Sequence, residues 1–184
     1  GRSGKMWAYQ HSGIEPDIIC TSKALGGGLP LSAVIGKENI LSEWSPTAYV
    51  STQAANVLAC AAGNYVIDKI SSNNFLNVVN KSGNYLLKGL KELKTRHPII
   101  GYLDNCGLYT GVELVRDRKT KEPADLEANF VRDLCVQNGL LFEKGGYYHN
   151  RLQLIPPLNI ELKVIDKCIE ILDFVFEKTR IKFK

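Results

Sequence analysis

Residues 16–30 read PDIICTSKALGGGLP, and the interpretation of the whole chain starts from this stretch. A short apolar run is followed by one lysine, Lys23, then by three glycines and a proline. Short apolar runs bounded by turn residues are typical of buried strands. Glycine permits positive φ and close approach of a ligand to the main chain, while Pro30 stops a helix from continuing. The stretch therefore predicts a buried strand that presents one amine in a turn of unusual backbone freedom.

Lys23 is the first candidate for chemistry. Ligands of open α/β sheets bind at the carboxyl ends of strands, which is where Lys23 would lie. A lysine in such a place can be partly desolvated and can form a Schiff base. Taken alone, the pattern favours a solvated surface charge. It does not fit a phosphate-binding P-loop, because no Gly-Lys-Ser/Thr follows a glycine at the required spacing.

Several segments carry a resemblance to a known family. They are residues 1–8 (GRSGKMWA), 16–19 (PDII) and 22–33 (SKALGGGLPLSA). The chain resembles the class III aminotransferases, which are pyridoxal phosphate (PLP) enzymes of fold type I, over essentially all of its 184 residues. Residues 1–10 and 115–124 resemble dialkylglycine decarboxylase in particular. The resemblance implies that PLP is the cofactor.

The resemblance also implies the fold and the role of the lysine. The expected fold class is α/β, the C-terminal part of a PLP-binding large domain followed by a small α+β domain. We place the domain boundary at the turn-rich residues 71–74, so that 1–72 belong to the large domain and 73–184 form the small one. In the family, the lysine at the position of Lys23 forms a Schiff base with the cofactor and is catalytic.

Helical and strand-like segments alternate in the second half of the chain, which predicts a small α+β layer. Three-four spacing predicts one long helix over residues 75–96, and a last helix begins at about Glu161. Gly83 within the first of these suggests a close helix contact. We also expect a strand over residues 140–143. A helix over residues 123–138 should turn one face inward: Leu126, Phe130, Leu134 and Cys135.

Thr52 is the second candidate site residue. We expect it just before a helix that begins at about Ala54, where its hydroxyl, the main-chain N–H groups and the helix dipole would favour an anion. From the pattern alone, a simple N-cap threonine is preferred. The resemblance implies that the matching threonine binds the cofactor phosphate of the partner subunit, and hence a homodimer with the active site at the interface. Dialkylglycine decarboxylase also holds a metal near this segment, but Asn56 stands where an acidic ligand is required, so no metal is expected.

Gln153 stands where the family pattern is broken. Many class III enzymes have Arg-x-x-Pro-Pro-Leu in the final strand, and that arginine binds the substrate carboxylate as a bidentate fork. Arg151, two residues earlier, would lie on the same side of the strand, about 6–7 Å away. Either Arg151 replaces the missing fork, or the carboxylate site is weaker and the substrate differs. Arg151 as a plain surface or interface charge remains open as well.

Composition limits the alternatives. The net charge is +4, and no arginine-rich run is interleaved with aromatic residues, so nucleic-acid binding is not expected. Five widely spaced cysteines suggest neither disulfides nor a zinc site, and they fit a reduced, cytoplasmic protein. No signal peptide or apolar run of membrane-spanning length is present. The opening residue is not Met, and the phosphate cup and ring-stacking group of the family are not found, so we expect part of a longer enzyme.

The sequence therefore predicts a PLP-dependent aminotransferase that acts on a small amino donor and a 2-oxo acid. Two alternatives stay open. The first is a PLP-dependent decarboxylase or racemase of the same family, because these reactions differ in which bond at the α-carbon is broken. The second is a catalytically inert, truncated subunit.

Overall fold

The computed structural model describes residues 1–45, 51–72 and 74–183. Its contacts form two compact units, one of residues Met6–Leu76 and one that combines Gly1–Lys5 with the chain from Asn77 onward. Asn73, in the predicted boundary segment, lies outside the described residues. The division of domains at residue 72 stays a prediction. No helix within the described ranges is both long enough and apolar enough to cross a membrane.

The unit of residues 6–76 contains a two-stranded antiparallel sheet and a helix that follows it. Strand β1 (Ile18–Thr21) pairs with β2 (Ala33–Gly36), and a 3₁₀ helix (Lys23–Gly26) lies in the connection between them. The remaining elements are a 3₁₀ helix (Ala8–His11), the short helix α1 (Glu38–Leu41) and the longer α2 (Val57–Ser71).

Strand β1 is where we predicted it, but the expectation that it is buried is wrong. The side chains of Ile18, Val34 and Ile35 are 46–48% exposed. A two-stranded sheet leaves its faces open unless other elements cover them. The apolar run therefore predicted the strand correctly but did not predict how exposed its side chains are.

The second unit is a larger antiparallel sheet with helices on one face. The sheet order is β3-β4-β7-β6, with the short β5 paired to β4. Buried side chains from three helices and from one face of the sheet form a single core, among them Leu90, Val112, Leu152 and Phe176. The elements are α3 (Phe75–Arg96), β3 (Ile100–Cys106), β4 (Tyr109–Asp117), β5 (Glu122–Pro123), α4 (Asp125–Gln137), β6 (Glu143–Gly145), β7 (Arg151–Leu154) and α5 (Leu162–Lys182).

Three details of this unit differ from the sequence expectation. Leu126 is 59% exposed, because the buried face of α4 is made by Glu127, Ala128 and Val131 together with Cys135, which was predicted correctly. Strand β6 covers residues 143–145 rather than 140–143. Gly83 does make a close contact, but its neighbour is the turn at Gly107 rather than another helix.

Candidate active site

Lys23 lies at the point where the chain leaves β1. It follows Ser22, whose backbone is extended, and it is the first residue of the 3₁₀ helix. Its φ is +55°, a left-handed conformation that residues other than glycine rarely adopt. Such strain costs on the order of 1–3 kcal/mol and is often found at functional sites. The backbone thus turns sharply at the lysine itself.

The surroundings of Lys23 distinguish it from a nearby lysine of the same unit. Lys37 donates to Asp17 Oδ1 at 2.7 Å, and this hydrogen bond raises the pKa of Lys37. Within residues 1–45, 51–72 and 74–183, the amine of Lys23 has no hydrogen-bond or ion-pair partner. Lys23 is also exposed, so the described residues do not supply the partial desolvation that we expected.

Helix α2 supports the lysine turn through small residues. A Cβ on Gly63 would lie 2.5 Å from Leu31 Cδ2 and 3.4 Å from the Leu25 carbonyl oxygen. One turn further along α2, Val66 approaches Gly27, which has φ +60° and caps the 3₁₀ helix. Glycines on both sides of the contact therefore allow α2 to lie against this turn.

Thr52 lies in an exposed turn, four residues before the N-cap of α2. The N-cap is Asn56, whose Oδ1 accepts hydrogen bonds from the backbone N–H groups of Leu58 and Ala59, each at 3.1 Å. The alternative in which Thr52 caps the helix is therefore wrong, and the helix begins later than we expected. The role of Thr52 toward a phosphate stays a prediction.

Arg151 and Gln153 are brought together on the open face of the larger sheet. Their neighbours Leu152 and Leu154 point into the core, so strand alternation places Arg151 and Gln153 on the opposite face. The guanidinium of Arg151 lies over Gly111, since a Cβ there would be 2.2 Å from Arg151 Nε and Nη2. Gly111 is the cross-strand partner of Gln153. The side chain of Arg151 thus extends along the sheet toward the row of Gln153, the position at which the resemblance implies a carboxylate-binding arginine.

Carboxylates surround Arg151 on this face. Arg151 Nη2 donates to Asp104 Oδ2 at 2.7 Å, with the two side chains 29% and 55% exposed. Glu113 is the cross-strand partner of Arg151, and Glu143 is that of Gln153. One cation therefore shares an open sheet face with three carboxylates.

Sequence reasoning missed Asp104, Gly111 and Glu143. The tight turn between β3 and β4 was a usable signal, because it fixes Asp104 opposite Gly111. The pairing of β4 with β7 joins strands that are far apart in the sequence, and no local pattern predicts its register. Among the described residues, no group of three or more His, Cys, Asp or Glu side chains could hold a metal ion.

Similarity of the fold to solved structures identifies the class of protein. A solved transaminase from the marine bacterium Virgibacillus matches all of this chain and 44% of its own, with a TM-score of 0.92 and 26% identity. The chain therefore has the fold of PLP-dependent, fold type I transaminases and matches their C-terminal portion.

The chain belongs to the class III aminotransferase family, which it matches over residues 1–176. It is 39% identical over 175 residues to a leucine/methionine racemase of Thermococcus litoralis, covering 94% of this chain and 39% of the relative. It is 35% identical over 181 residues to an acetylornithine aminotransferase of Caldanaerobacter subterraneus subsp. tengcongensis, covering 98% and 43%. The chain thus spans about two fifths of the length of these relatives. The resemblance to this family is confirmed, whereas the nearer likeness to dialkylglycine decarboxylase stays a prediction.

Proposed function

We propose that the protein containing this chain is a PLP-dependent aminotransferase that moves an amino group from an amino acid or amine to a 2-oxo acid. Membership of the class III family and the similarity to aminotransferases support this proposal. The observation that carries it is the state of Lys23, whose amine has no partner among the described residues and which lies on a left-handed turn at the end of β1.

The described residues fit PLP. The amine of Lys23 is free to attach the cofactor covalently, and the glycines after it leave the main chain open to close approach. Asn56 already occupies the N–H groups of Leu58 and Ala59, so a phosphate would be bound by the hydroxyl of Thr52 and by turn amides before the helix. Lys23 and Thr52 are therefore the cofactor-binding residues of the proposal.

PLP, when bound, supplies an electron sink for negative charge at the α-carbon of the amino donor. The task of Lys23 is then to hold the cofactor until the donor arrives and, once displaced, to move the proton of the α-carbon with its Nζ. Gln153 and Arg151 are the proposed substrate-binding residues. Gln153 would donate a neutral hydrogen bond to the donor's carboxylate, and Arg151 a charge-assisted one.

A homodimer is part of the proposal. Thr52 would then contact the cofactor phosphate of the partner subunit. Val57 and Leu58, in the first turn of α2, are 79% and 75% exposed, and burying these apolar side chains at a subunit interface would be favourable. We also propose a cytoplasmic location, because all five cysteines are free thiols.

Racemisation is a second candidate, favoured by the 39% identity to a relative named a leucine/methionine racemase. Both reactions need a lysine that moves the proton of the α-carbon. They differ in where the proton returns. A racemase delivers it to the same α-carbon from the opposite side, whereas an aminotransferase does not return it to that carbon. A decarboxylase would instead break the bond to the carboxylate.

The test is an assay of the PLP-loaded protein with a panel of L-amino acids and amines, in the presence and absence of a 2-oxo acid. Formation of a new amino acid only with the 2-oxo acid indicates transamination. Loss of optical activity without it indicates racemisation, and CO₂ release indicates decarboxylation. Lys23→Ala should abolish turnover, whereas the matched variant Lys37→Ala, at a paired surface lysine, should keep it. Turnover that survives in Lys23→Ala contradicts the proposal, and a protein that loads no PLP is inert.

A further inference from the structure

The open face of the larger sheet carries an arrangement that the proposed function does not explain. Asp104, Gly111, Gln153 and Glu143 follow one another across four strands as cross-strand partners. Arg151 lies in the neighbouring row but sends its guanidinium over Gly111, where it meets Asp104. The charged group is therefore displaced from its own row into the row of Gln153.

Gly111 makes this displacement possible. Any side chain at position 111 would occupy the volume that the guanidinium now fills, because a Cβ alone would come within 2.2 Å of two of its nitrogens. The side chain of Gln153 extends in the other direction, over a second glycine, Gly145. Its Nε2 lies 2.8 Å from the position that a Cβ on Gly145 would occupy. Two glycines thus leave room for the two side chains to lie flat along the sheet.

Asp104 takes up one of the donor groups of the guanidinium. A guanidinium binds a carboxylate best as a fork of two parallel N–H groups. Nη2 donates to Asp104, and Nε and Nη1 have no partner among the described residues. The pair is partly exposed, and exposed ion pairs of this kind are weak enough to exchange with another carboxylate.

We propose that Asp104 is a specificity residue, which holds the Arg151 guanidinium over Gly111, in the row of Gln153, and competes for it with the carboxylate of the amino donor. This inference rests on the proposed function and names the substrate class. The donor is an α-amino acid whose carboxylate displaces Asp104 from Arg151, and amines without a carboxylate are not affected by the pair.

The experiment measures inhibition of the PLP-loaded enzyme by isobutyrate, which keeps the carboxylate of alanine and has a methyl group in place of its amine. Asp104→Asn keeps an oxygen that can accept from Nη2 but removes the competing charge. Its inhibition constant for isobutyrate should fall about two- to fivefold, the range expected for an exposed ion pair. Arg151→Gln should raise the inhibition constant about tenfold or more, because a charge-assisted bond is lost. The KM for isopropylamine, which has a methyl group in place of the carboxylate of alanine, should not change in Asp104→Asn, because this donor brings no carboxylate to compete for Arg151.

Asp133→Asn is the matched control, because Asp133 also forms an exposed pair with an arginine, Arg132, at 2.7 Å, but on α4. It should leave the inhibition constant unchanged. An inhibition constant that is unchanged or raised in Asp104→Asn overturns the inference, as does an unchanged one in Arg151→Gln. These results leave the proposed function standing as long as Lys23-dependent turnover is present. If the loaded protein shows no such turnover, the proposed function fails and the inference fails with it.

Discussion

Gly83 in α3 lies directly against Gly107 in the turn between β3 and β4, so that a Cβ on Gly83 would come within 2.1 Å of the Gly107 carbonyl oxygen. The neighbour is backbone, and Gly107 itself has φ +60°. Neither side of the contact can therefore move by a simple change of rotamer.

Gly83→Ala should lower the free energy of unfolding by about 1–3 kcal/mol, the usual cost of overpacking a tight contact. Asn84→Ala is the control, because Asn84 is the next residue of α3 and is exposed. Its effect should stay within about 0.5 kcal/mol. Urea unfolding followed by circular dichroism measures both. Equal effects of the two substitutions would show that the contact with Gly107 is not tight.

Gly111→Ala should behave differently, because the atoms in the way belong to the far end of the flexible Arg151 side chain. We expect a change in unfolding free energy within about 1 kcal/mol, since Ala also restricts the unfolded chain. The guanidinium must leave its place over residue 111, so isobutyrate should inhibit the loaded variant less strongly than it inhibits the parent enzyme. A variant with unchanged inhibition would show that Arg151 does not act from this position.

The thiols of the buried Cys135 and the half-buried Cys168 should be unreactive in the folded chain. Burial raises the pKa of the Cys135 thiol to about 12 and that of Cys168 to about 11. The thiolate is the reactive form, so at pH 8 a raised pKa leaves almost none of it. Iodoacetamide at pH 8 should modify the exposed Cys20 of the folded 184-residue chain and should reach Cys135 and Cys168 only after unfolding in urea. Peptide mass spectrometry gives the extent at each site. Modification of Cys135 as fast as that of Cys20 in the folded chain would contradict the burial.

Much of the larger unit could be predicted because local periodicity reports burial. In α3, the three-four spacing correctly predicted the helix, in which Val79, Leu86, Leu90 and Leu93 are buried. In α4, the same reasoning put Leu126 inside, but the buried face is shifted by a residue because Glu127 turns inward to accept from Arg116 Nε at 2.7 Å. An ion pair that draws a carboxylate inward cannot be recognised from apolar spacing.

The candidate site was predictable in part for a similar reason. The apolar run predicted the strand that ends just before Lys23, and alternation placed Arg151 and Gln153 on one face. The role of Lys23 was implied by the family resemblance and stays a prediction. The pair of Arg151 with Asp104 depends on the register of β4 with β7, which is set by contacts between distant segments. Thr52 was misjudged as a possible cap because both Thr52 and Asn56 are good N-cap residues, and the chain uses the second.

Mixing two inactive variants tests whether Thr52 acts across a dimer interface. Lys23→Ala and Thr52→Ala should each lose most activity. If Thr52 serves the partner subunit, a mixed dimer contains one site with both residues intact. Co-refolding equal amounts of the two variants should then restore about a quarter of the activity of the same amount of parent protein. About half of randomly paired two-fold dimers are mixed, and one of the two sites in each mixed dimer is intact. Activity that stays at the level of the separate variants would place Thr52 in its own subunit's site or outside the site.

The most direct measurement is to load the protein with PLP, reduce it with borohydride and map the modified peptide by mass spectrometry. Borohydride converts a cofactor–lysine bond to a stable secondary amine, so the attachment point is read without any turnover. We predict that the label is found on Lys23 and that Lys23→Ala carries none, while Lys37→Ala is labelled like the parent. A label on another lysine, with Lys23 unmodified, would contradict the account.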